Sequence, residues 1–130
     1  MDRSGLDLQI EARQNYIYAR ARGERTRENV INLARIVFNA ALENRRSTIL
    51  LDVRELAGNF GFTDIFQLVR EVLVHLLGKG VNQVAVIDVH RTSRKDWFLE
   101  PAAHSYGINI RVFDDIGSAT QWIEGGGASP

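Results

Sequence analysis

The sequence predicts an α/β fold: a mixed, mostly parallel five-stranded sheet with an N-terminal hairpin and four helices. Three observations predict it. Two consecutive N-terminal segments alternate apolar and polar residues, the period of half-buried strands. A helical stripe of apolar residues follows them. Two later runs, Ile49-Leu50-Leu51-Asp52-Val53 and Val84-Ala85-Val86-Ile87-Asp88, are short and almost continuously apolar, as central parallel strands are. Strands alternating with helices imply parallel pairing through right-handed crossovers, in the order β-β-α-β-α-β-α-β-α.

Each element has its own signal. Leu6-Asp7-Leu8-Gln9-Ile10-Glu11 alternates, residues 12–15 offer a turn, and residues 16–22 alternate again. In the second segment Ile17, Ala19 and Ala21 share one face, and Tyr16, Tyr18, Arg20 and Arg22 the other. The pair reads as an antiparallel hairpin. Thr26 suits a helix N-cap, and Glu28 complements the positive end of the helix dipole. Val30, Leu33, Ala34, Val37, Phe38, Ala41 and Leu42 then form the apolar stripe. Thr48–Val53 is the first central strand and residues 54–62 a loop. A second helix is expected from about Asp64, with Ile65, Leu68, Val69, Val72 and Leu76 inward, ending at Gly78-Lys79-Gly80. After the strand 84–88, Ser93-Arg94-Lys95-Asp96 fits a capping box that opens a third helix, ending at Gly107 and kinked at Pro101. Residues 108–113 form the last strand, with Asn109 and Arg111 on a wet face. Ile116, Ala119, Trp122 and Ile123 mark a last helix capped by Asp114 or Asp115.

Composition narrows the function. The chain has 130 residues, matched sums of 16 basic and 16 acidic residues, and no cysteine. Zero net charge argues against a dedicated nucleic-acid binder. Without cysteine there is no disulfide framework, thiol nucleophile or thiolate zinc site. No apolar run approaches the roughly 20 residues that span a bilayer, and the N-terminus lacks an apolar signal core. The expectation is a cytoplasmic protein with one domain over residues 1–124 and a disordered glycine-rich tail at 125–130.

Three pieces of this order resemble the STAS domain, the SpoIIAA-like fold of anti-sigma-factor antagonists: the strand Ile49–Val53 with a helix opening near Thr63, the strand Val84–Asp88, and the ending Ile108–Phe113 followed by Ala119 and Trp122-Ile123. The resemblance spans residues 6–124 and is closest to the bacterial branch described as SpoIIAA-like or STAS/SEC14-related. It implies a non-enzymatic regulatory module that binds a protein partner. In the antagonists a serine in an Asp-Ser-Ser-Gly motif at the next helix start is phosphorylated to break that contact. Here the region reads Asn59-Phe60-Gly61-Phe62-Thr63-Asp64. Asp52 matches the strand-end aspartate, the serine and its glycine are missing, and Thr63 is the nearest hydroxyl.

The site candidates follow from position. Ligands of open α/β sheets gather at the carboxyl ends of strands. A partner surface is therefore expected from Asp52, Asn59, Phe60 and Phe62 with Arg91 and Arg94. Thr63 is a phosphorylation candidate or a simple N-cap. Arg91, Thr92, Ser93, Arg94 and Lys95 open a helix and suit an anion, or are a solvated helix start. Phe60 and Phe62 either form an exposed apolar patch or fold over the core. Tyr16, Tyr18, Arg20 and Arg22 have the composition of an interface and suggest association with a second copy. A small apolar or lipid-like ligand is the alternative that the SEC14-related branch implies. A third reading puts Mg²⁺-dependent phosphoryl chemistry at Asp52, with Asp88 and Asp114 or Asp115 nearby. The strand Ile49–Val53 superficially resembles the phosphoacceptor strand of a response-regulator receiver, but the acidic pair after the first strand and the late-strand lysine that this resemblance implies are absent from the sequence. His75 reads as a partly buried helix residue, and His90 and His104 lack an acidic or nucleophilic companion in sequence. No catalytic residue, metal or cofactor is assigned.

Overall fold

The computed structural model describes residues 6–57, 70–71, 80–88 and 109–125. Five strands form one sheet in the order β1 (Leu6–Ala12), β2 (Ile17–Glu24), β3 (Thr48–Ala57), β4 (Gln83–Ile87) and β5 (Asn109–Phe113). The β1–β2 pair is antiparallel, and β2–β3, β3–β4 and β4–β5 are parallel. This is the expected mixed sheet with its N-terminal hairpin. Helix α1 (Arg27–Glu43) follows β2 and α2 (Ile116–Glu124) follows β5. The helices expected over 64–78 and 93–107 lie outside the described residues.

The two faces of the sheet carry separate cores. On one face Ile17, Ala19 and Ala21 of β2 and Ile49, Val53 and Leu56 of β3 pack with Leu33, Ala34, Val37, Phe38 and Ala41 of α1. On the other, Leu50, Ala85 and Ile87 meet Ala119 and Ile123 of α2, with Tyr16, Tyr18, Phe113 and Trp122 packed against them. The central strands are buried on both sides, which is why their sequences run apolar without alternating.

Helix α1 begins where expected: Thr26 Oγ1 accepts from the Asn29 N–H at 3.1 Å. Its buried face is rotated slightly from the expected stripe. Ile31 and Asn29 are buried, whereas Val30 and Leu42 are half-buried. Asn29 tolerates burial because its Nδ2 donates to the Glu24 carbonyl at 2.9 Å. The helix ends in a Schellman motif: Arg46 N–H donates to Ala41 O at 2.8 Å and Arg45 N–H to Leu42 O at 3.2 Å. Arg45 takes the left-handed position, φ 57°, that glycine favours. Gly80, φ +122°, leads into β4; a Cβ there would lie 3.3 Å from the Leu42 side chain.

One boundary differs from expectation. Strand β3 continues to Ala57 instead of giving way to a loop after Val53. The register explains the difference. Arg20 pairs with Asp52 but Arg22 pairs with Glu55, so β3 carries one extra residue there. This β-bulge lets Val53 and Leu56 both face the α1 core while Arg54 and Glu55 are both exposed. The sequence Val-Arg-Glu-Leu breaks period-two alternation for that reason.

Candidate functional site

Strands β3 and β4 lie side by side and parallel, with Asp52 level with Ile87. Their carboxyl ends therefore open onto one rim. Two carboxylates from the expected set stand there, Asp52 and Asp88, and both are buried.

They serve opposite faces. Asp52 lies two residues beyond Leu50 and shares its side, that of α2; Asp88 follows Ile87 and so turns to the α1 side. Asp52 is held by Arg54, two residues along β3. The Arg54 Nη2 donates to Oδ2 at 2.7 Å, and its Nε and backbone N–H donate to Oδ1 at 3.0 and 3.1 Å. Burial pushes the Asp52 carboxyl up, but the Arg54 hydrogen bonds and the charges of Arg54 and Arg20 outweigh it and hold the group below the usual carboxylate range. The Arg54 side chain keeps 38 % of its surface exposed while that of Asp52 keeps 5 %. Arg54 is thus the solvent-facing member of the pair.

Asp88 meets Arg25, a residue that the sequence analysis does not single out. Arg25 Nη1 donates to Asp88 Oδ2 at 2.9 Å and Nη2 to Oδ1 at 3.3 Å. The same guanidinium donates to the carbonyls of Val53 at 3.0 Å and Leu56 at 3.1 and 3.2 Å. The Arg25 N–H also reaches the Ala57 carbonyl at 2.6 Å. One buried side chain thereby fastens the ends of β2, β3 and β4 together. Its only sequence signal is a cation just before an N-cap, in a stretch, Gly23-Glu24-Arg25-Thr26, that reads as a polar connection.

Around these pairs the sheet surface is charged and internally matched. Arg20 Nη2 donates to Glu55 at 2.9 Å and Arg22 Nη2 to Asp7 at 2.9 Å. With Gln9 these residues line a shallow polar hollow of about 150 Å³. Tyr16 and Tyr18, expected to share an open face with Arg20 and Arg22, are half-buried against the α2-side core, and Arg13 stacks 4.8 Å above the Tyr18 ring. On β5 the Arg111 guanidinium lies 5.7 Å from both the Phe113 and Trp122 rings. Asp115 caps α2: its Oδ1 accepts from the Ser118 N–H at 2.8 Å. That hydrogen bond is the largest influence on its carboxyl, which sits below the usual range.

Of the expected partner-binding residues the structure places Asp52. Asn59, Phe60, Phe62, Arg91 and Arg94 lie outside the described residues, as do Thr63, Thr92, Ser93 and Lys95 and the three histidines. In sequence these residues follow the carboxyl ends of β3 and β4. Among the described residues no helix is long and apolar enough to cross a membrane.

Comparisons with known proteins agree with this architecture. An anti-sigma factor antagonist from Mycobacterium paratuberculosis superposes with a TM-score of 0.58 at 10% identity, over 95% of this chain and 97% of that one. An uncharacterized protein of the DUF3478 family with a SpoIIAA-like fold, from Shewanella loihica PV-4, does so with a TM-score of 0.53 at 22% identity, over 91% and 93%. At such identities the likeness is one of fold. No curated protein matches the chain. A family model described as SpoIIAA-like matches residues 16–124, from the last residue before β2 through the end of α2. That match takes in the parallel core, both strand-end arginine–aspartate pairs and the closing helix, and by it the chain belongs to the SpoIIAA-like family.

Proposed function

We propose that this chain is a non-enzymatic regulatory module that docks a protein partner on the rim where β3 and β4 end. The observation that carries the reading is the state of the two rim carboxylates. Each is buried and bound to an arginine, and they point to opposite faces of the sheet. Such groups build a stiff frame. A phosphoryl-transfer centre instead needs carboxylates that converge on one cation. The frame holds out an exposed cation, Arg54, on a strand that continues in sequence to Asn59, Phe60 and Phe62, while the neighbouring strand continues to Arg91 and Arg94. Apolar anchors rimmed by arginine suit a protein surface. The antagonist named among the similar structures supports the same class of role. A second copy of the chain is a further partner in this reading.

The test is a pull-down from extract of the source cells with the parent chain and the variants Phe60→Ala, Arg94→Ala and Arg54→Ala. Each variant is first checked for folding by far-UV circular dichroism. The expected result is that a partner held by the parent is lost or weakened by all three. Full retention by all three places docking elsewhere and removes the reading.

A further inference from the structure

Strand β1 pairs with β2 along one side, and no strand of the described residues pairs with the other. Which backbone groups that free side presents follows from the hairpin. Arg13 N–H donates to Tyr16 O at 2.8 Å, which makes Arg13 and Tyr16 a hydrogen-bonded pair. Bonded and non-bonded pairs alternate along an antiparallel ladder. Counting back through the register, Glu11, Gln9 and Asp7 are bonded to Tyr18, Arg20 and Arg22. Leu6, Leu8, Ile10 and Ala12 therefore turn their N–H and C=O groups outward, to the free edge.

That edge is poorly defended. It contains no proline, no lysine and no bulge, the usual devices against edge pairing. Its two carboxylates are already matched, Asp7 by Arg22 and Glu11 by Arg13. It also exposes apolar surface. Ile10 is 36 % exposed although it lies on the α1 face of the sheet, and Ile36 of α1 is 46 % exposed. Arg35 engages Glu71, on the connection from β3 to β4, at 3.8 Å. Helix α1 packs against β1 as well as against β2 and β3.

One register complements the strand best; an axis at Leu8 also sets apolar against apolar, Leu8 on Leu8 and Leu6 on Ile10, but brings no unlike charges together within the strand. Symmetric antiparallel pairing of two copies must match outward-facing residues. A two-fold axis at Gln9 sets Asp7 against the second copy's Glu11, a like-charge contact. An axis at Ile10 sets Ile10 against Ile10, Leu8 against Ala12, Gln9 against Glu11, and Asp7 against Arg13. Apolar then faces apolar, unlike charges face each other, and the exposed large apolar side chain of the strand, Ile10, is covered.

We propose that β1 is a dimerisation edge: two copies of this chain join β1 to β1, antiparallel, with the two-fold axis at Ile10, into one continuous ten-stranded sheet. The proposal rests on the self-association reading above and gives it a surface distinct from the partner-docking rim. Pairing at the edge leaves the ends of β3 and β4 free, so a dimer presents two rims.

Light scattering on size-separated full-length chain, over a concentration series, reads the mass. The expected parent mass is twice that of the chain. Ile10→Pro removes a donor that points away from β2, so the hairpin ladder keeps its bonds, and Ile10→Lys puts like charges on the axis. Both are expected to dissociate at about ten- to hundredfold higher concentration than the parent. A cysteine variant serves if these fold poorly. The natural chain has no cysteine, so Ile10→Cys is expected to form a covalent dimer on mild oxidation, while Ile116→Cys, on exposed α2 surface, is not. A monomeric parent at every concentration overturns self-association and this interface together. A dimeric parent, with Ile10→Cys no better linked than Ile116→Cys and the two other variants still dimeric, overturns the β1 edge alone.

Discussion

Removing Arg25 is the sharpest perturbation the structure offers. Arg25→Met keeps the apolar stem and deletes the guanidinium. It takes the Arg25 cation from the buried Asp88 carboxylate and a donor from the carbonyls of Val53 and Leu56. Breaking a buried ion pair from one side costs about 3–5 kcal/mol. The two carbonyls add about 1 kcal/mol each where water does not replace the donor. A domain of this size has roughly 5–15 kcal/mol in all, so the variant gives up a third or more of its stability. Arg25→Lys fares little better, because an ammonium cannot reach a carboxylate bidentately and two carbonyls at once. Asp88→Asn keeps an acceptor for Arg25 and costs less than Arg25→Met. The double variant Arg25→Met/Asp88→Leu removes both charges and costs less than the sum of the single changes, by about 2 kcal/mol or more. Urea unfolding followed by circular dichroism reads these differences from the midpoint at constant slope. A loss below about 1 kcal/mol for Arg25→Met, or strict additivity in the double variant, would refute the clamp.

Two further outcomes follow from the same geometry. Arg45→Gly relieves a left-handed backbone position at the end of α1 and is expected to stabilise the chain by about 1 kcal/mol, read as a higher thermal midpoint; an unchanged or lower midpoint contradicts this. The Asp52 carboxyl is held below its unfolded value of about 3.9, so its contribution is present above that pH and is lost as pH falls through the lower folded value. Arg54→Ala leaves burial to push the carboxyl up. The variant is therefore expected to be less stable than the parent at neutral pH, with the gap narrowing as pH falls below about 3.9 on an acid titration of the urea midpoint; a gap that does not change with pH argues against the pairing.

The polar contacts of the fold brace the ends of its central strands. Arg25 ties three strand ends through contacts within the described core. The β3 bulge then turns Arg54 outward without disturbing Val53 or Leu56. For the docking proposed above, a frame ordered beforehand keeps the loss of conformational freedom on binding small.

Local pattern was enough for what depends on neighbours in sequence. The alternation of Leu6–Glu11 and Ile17–Arg22 specified the hairpin, the spacing of Leu33 to Ala41 specified α1, and Thr26 its start, since burial of one face or one stripe writes a period into the chain. The apolar runs at 49–53 and 84–88 marked the central strands, and the strand ends pointed to Asp52. Tertiary structure alone decided the rest. The extension of β3 through Arg54 and Glu55 depends on a bulge against β2, which erases the alternation that would reveal it. The burial of Arg25 depends on a carboxylate 63 residues away; in sequence it is one more cation in a polar turn. A residue's partners across a sheet are set by register, and register is a property of the folded chain.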